Sequence, residues 1–101
     1  MTAQTSEFRD RVEGLLGREG VVLTDREMSR IAERYPLCGG TEPWDVREYA
    51  RHATPGAREY RVLRGRRVQD VYASVERERA TAVQSALNEM ESQDGPGHRS
   101  R

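Results

Sequence analysis

The chain has 101 residues, 35% of them hydrophobic, with 17 basic and 17 acidic side chains and a formal net charge of zero. That length allows one domain around one modest core, and the neutral balance excludes a generic cationic coat for nucleic acid or membrane. Cys38 stands alone, which excludes an internal disulfide, and the lack of an apolar span, signal peptide or lipidation motif predicts a cytoplasmic protein with no membrane partner.

In chain order, Ser6 is a fitting N-cap for a first helix. Its apolar face is Phe8, Val12, Leu15 and Leu16, and Gly17 suits a left-handed C-cap. Val21-Val22-Leu23 is too short for a helix and reads as a short strand or extended link. Thr24 and Glu27 match a capping box, opening a second helix with Met28, Ile31, Ala32 and Tyr35 on one face and Pro36 at its end. Residues 36–42 form a loop. Its Gly39-Gly40 pair lacks the lysine and Ser/Thr of a phosphate loop.

Pro43 suits the first turn of a third helix, predicted over Pro43–Ala53, with Val46, Tyr49, Ala50 and Ala53 on one face and Trp44 and His52 off it. Thr54-Pro55-Gly56 closes that helix. Tyr60 and Val62 then alternate with Arg61 and Leu63, predicting a short hairpin that turns at Arg64-Gly65-Arg66; an unbroken helix from Pro55 is the alternative. Arg66 to Ser92 contains neither proline nor glycine and predicts a long helix. The start moves to Asp70 or Tyr72 if the hairpin forms. Its apolar stripe divides at Glu76–Arg79 into a first patch (Val68, Val71, Tyr72, Val75) and a second (Ala82, Val83, Ala86, Leu87, Met90). The last residues, 93–101, are polar and glycine-rich and read as a disordered tail.

These elements predict a mainly α fold: one helical domain over residues 1–92, made of a unit over 6–65 and a long helix over 66–92. The order resembles a winged helix-turn-helix followed by a dimerisation helix. That resemblance implies double-stranded DNA as the partner, with Arg47, Arg51 and His52 entering the major groove. Arg58, Arg61, Arg64, Arg66 and Arg67, at the hairpin tip, would then touch phosphates or the minor groove. The 58–67 segment supports this, since it holds five arginines against one glutamate. The seven-residue 36–42 link departs from the usual tight turn. The second stripe, Ala82, Val83, Ala86, Leu87 and Met90, is expected to be a homodimer seam in which Arg79 meets a glutamate across the interface.

The other reading is a non-catalytic protein-interaction module: an adaptor, an antitoxin-like inhibitor or a phage-type accessory protein. With His52 and His98 as the only histidines and no second cysteine, the sequence offers no metal set, catalytic triad or cofactor motif. Cys38 is expected to be an inert thiol.

Overall fold

Trp44 sets the architecture. It carries the largest apolar surface in the chain and is fully buried, whereas a helix over residues 43–53 facing the core with Val46, Tyr49 and Ala50 would leave it outside. A strand solves this, because period-two spacing puts Trp44 and Val46 on the same face. The computed structural model describes residues 2–51 and 53–94. Its elements are α1 (Thr2–Arg18), α2 (Asp25–Arg34), a 3₁₀ turn (Tyr35–Leu37), β1 (Trp44–Ala50), β2 (Arg58–Arg64), β3 (Tyr72–Ser74) and α3 (Arg77–Asp94). The mainly α, winged-helix-like expectation is thereby corrected to an α+β fold. The predicted third helix is β1, and the long helix begins at Arg77, after a turn and a strand.

The three strands form an antiparallel sheet in the order β1-β2-β3. Trp44 pairs with Arg64, Val46 with Val62 and Ala50 with Arg58, while Val62 also pairs with Tyr72. The strand expected at Tyr60–Leu63 is therefore present, but both of its neighbours come from segments read as helix. α3 lies across one face of the sheet and touches all three strands; α1 packs on α3 and α2, and α2 flanks β3. Val12 and Leu16 of α1, Met28 and Ile31 of α2, and Val62, Val71 and Tyr72 fill the space between.

Local chemistry explains the boundaries. The capping box forms as read: Thr24 Oγ1 accepts from Glu27 N at 3.1 Å and Thr24 N donates to Glu27 Oε1 at 2.8 Å. α1, in contrast, runs through Gly17 to Arg18 and is closed by Gly20, whose φ of 76° suits only glycine at low cost. Gly65, at φ 61°, turns the chain out of β2, and a Cβ there would come within 2.9 Å of the Glu42 carboxyl carbon.

The second apolar stripe belongs to the chain's own core. Ala82, Val83, Ala86, Leu87 and Met90 are each no more than 5% exposed within one chain, so they do not form a seam. The expected homodimer loses the surface on which it rested. Arg79 meets a glutamate of the same chain, Glu27, at 2.6 Å. In the first stripe Val71 and Tyr72 are buried, whereas Val68 and Val75 are exposed. Most of the expected tail, residues 95–101, lies outside the described residues.

Candidate functional site

Four of the eight arginine and histidine positions read as DNA contacts have partners inside the fold. Arg64 is buried, 4% exposed. Its guanidinium lies 4.1 Å over the Trp44 ring and donates to Gly40 O and Glu91 Oε2, and the Tyr35 hydroxyl donates to the same Glu91 oxygen at 2.6 Å. This cluster clamps the 38–42 loop to β2 and α3. Burial and the bond to Glu91 push the Tyr35 phenol well above its ordinary pKa. Arg61 stacks over Tyr49 at 4.3 Å and pairs with Glu59 at 3.2 Å. Arg58 pairs with Glu48 at 2.7 Å. Arg47 donates to Gly65 O.

Arg51, Arg66 and Arg67 stay exposed, with no side-chain partner among the described residues. The strand register puts Arg51 at one end of the sheet and the Arg66-Arg67 turn at the other. His52 lies outside the described residues. No helix presents Arg47 and Arg51, because both belong to β1 or the residue after it. The predicted DNA surface is thus dispersed.

What the fold does assemble is an open sheet edge beside a groove. β1 is an edge strand. Arg51 N bonds Ala57 O, and alternation along an antiparallel ladder then turns the backbone groups of Asp45, Arg47 and Tyr49 toward β2. Those of Trp44, Val46, Glu48 and Ala50 turn away. At Trp44 the outward groups are met by α3: Trp44 N donates to Asn88 Oδ1 at 2.8 Å, and Trp44 O accepts from Gln84 Nε2 at 2.9 Å and Asn88 Nδ2 at 3.1 Å. Two side-chain amides take the place of a neighbouring strand there. The outward N–H and C=O groups of Val46, Glu48 and Ala50 have no such partner among the described residues.

Alongside them runs a groove of about 340 Å³ between β1 and the first half of α3, lined by Val46, Glu48 and Tyr60 and by Arg77, Thr81 and Gln84. The three α3 residues share one helix face. Reading 43–53 as helix concealed this site. The signal that could have found it is the alternation of Trp44 and Val46, matched by Tyr60 and Val62.

Other chemistry is sparse. Cys38 is buried and its thiol is pushed up by that burial, eased by nearby arginines; it donates weakly to Gln69 O at 3.9 Å. Among the described residues no cluster of His, Cys, Asp and Glu could hold a metal ion, and no helix is long and apolar enough to cross a membrane. No family model, curated protein or solved structure matches the chain.

Proposed function

We propose that the chain is a non-catalytic protein-interaction module that captures an extended segment of a partner protein as an added strand on β1. The observation that supports this is the row of outward backbone groups at Val46, Glu48 and Ala50 beside an open groove. Such a row is a template for strand addition, in which main-chain hydrogen bonds supply affinity and the groove supplies selectivity.

A duplex-DNA regulator fits less well. Its recognition helix is a strand, and three exposed arginines split between two ends of a sheet would neutralise few phosphates. Each neutralised phosphate adds about 0.9 to the log–log salt slope, so contacts this few would supply little of the electrostatic term that drives duplex binding.

Ala50→Pro tests the reading. Proline removes an N–H that points away from β2, so the ladder survives while the template is interrupted. Panning a random peptide display against the chain should enrich extended, proline-poor sequences, and Ala50→Pro should release them without lowering the melting temperature by more than a few degrees. Peptides that bind Ala50→Pro as tightly as the parent would contradict strand addition, and saturable duplex binding at low salt would return DNA as the partner.

A further inference from the structure

The groove also constrains what the captured segment carries; this step rests on strand addition to β1. An extended chain beside β1 sends alternate side chains toward α3 and the others to the opposite face. Toward α3 it meets Val46 and Tyr60, both half-buried and apolar, as the floor. Of the polar groups there, Gln84 is committed to Trp44 O and the Glu48 carboxylate to Arg58, and the Thr81 and Tyr60 hydroxyls are neutral, so only a charged group is left to count. Asp45 lines the rim, but alternation turns its side chain to the opposite face of the sheet. Arg77 remains. It is exposed, has no side-chain partner among the described residues, and opens α3, where the helix dipole is positive. Arg77 also borders the cleft on the other flank of α3, which Glu19 and Glu78 line without pairing with it, and Glu76 does not line the groove.

We infer that the segment places an aliphatic side chain over Val46 and Tyr60 and a carboxylate against Arg77. A second copy of this chain fits the edge poorly. The antiparallel register that uses all three outward positions pairs Val46 with Ala50 of the copy and sets Glu48 opposite its own counterpart, a like-charge pair that destabilises a sheet.

The test uses the full chain and three labelled synthetic peptides, read by fluorescence anisotropy. The first alternates threonine with valine and carries one glutamate on the valine face, the second replaces that glutamate by lysine, and the third is the first with its bonding amides N-methylated. The glutamate peptide should bind about fivefold tighter than the lysine peptide at low salt, the scale of an exposed ion pair. Arg77→Gln should bring the two within about twofold, as should raising the salt until the screening length falls to about 3 Å. The N-methylated peptide should not bind. Equal affinity for the glutamate and lysine peptides would overturn the inference while leaving strand addition intact. Failure of all three peptides, or binding of the N-methylated one, would overturn strand addition itself. Sedimentation that shows a dimer abolished by Ala50→Pro would make a second copy the occupant and overturn the peptide assignment.

Discussion

The Glu27 carboxylate ties three elements together. It belongs to the α2 capping box, accepts from the Tyr72 hydroxyl of β3 at 2.8 Å and pairs with Arg79 of α3 at 2.6 Å. Burial pushes its pKa up, but the Thr24 N–H, the Tyr72 hydroxyl and the Arg79 guanidinium outweigh that and hold it below the ordinary 4.5. A carboxyl whose folded pKa is depressed contributes stability that is present above the unfolded pKa and drains as pH falls through the folded one. Glu27→Gln should therefore lose about 1–3 kcal/mol at neutral pH, the cost of leaving buried donors unmatched. The gap to the parent should narrow below pH about 4, since the variant has no carboxyl to protonate. Denaturant melts at neutral and acid pH check this; a constant gap would assign the loss to capping alone. Tyr72 carries the opposite sign: burial and its bond to Glu27 raise its phenol, so its contribution is present at neutral pH and lost in strong alkali. Cys38, 3% exposed, should react with a thiol reagent only as fast as the chain opens.

At the level of elements, the helices that could be read were those whose termini carry local chemistry. Thr24 and Glu27 specify the start of α2 by themselves, and Pro36 limits it. The α1 stripe Phe8, Val12, Leu15 and Leu16 is likewise a local signal. β1 was not legible, because Val46, Tyr49 and Ala50 satisfy helical spacing as well as Trp44 and Val46 satisfy strand spacing; only the tertiary need to bury Trp44 against α3 decides between them. The long helix failed for a related reason. Residues 66–76 lack a breaker, yet Val71 and Tyr72 gain more by pairing beside β2 than by extending α3. The candidate groove was hidden with β1, since sequence gives no sign of which strand will be left at an edge. The reassigned stripe carries a prediction. Leu87→Ala should cost about 2–5 kcal/mol as a core cavity, and its effect on the melting temperature should not depend on protein concentration; such dependence would restore the seam. Arg64→Met should cost about 3 kcal/mol by leaving Glu91 without its buried partner.

Across the whole molecule, 17 basic and 17 acidic residues cancel, and many are used in ion pairs that join elements: Arg9 with Asp25, Arg18 with Glu89, and Arg30 and Arg34 with Asp70. Exposed pairs of this kind add little stability each, so the arginine content is better understood as surface and clamp than as a nucleic-acid coat. The two sheet edges differ. β3 is flanked by α2, whereas among the described residues β1 is covered only at Trp44, where Gln84 and Asn88 reach it. That asymmetry is the basis for the proposal that this protein captures an extended segment. It is tested most directly by native-state hydrogen exchange on the free chain, resolved at each amide. The amides of Asp45, Arg47 and Tyr49, which face β2, should be protected, while those of Val46, Glu48 and Ala50 exchange about as fast as fraying segments. Equal protection of both sets would mean that the edge is already covered, and it would contradict the account.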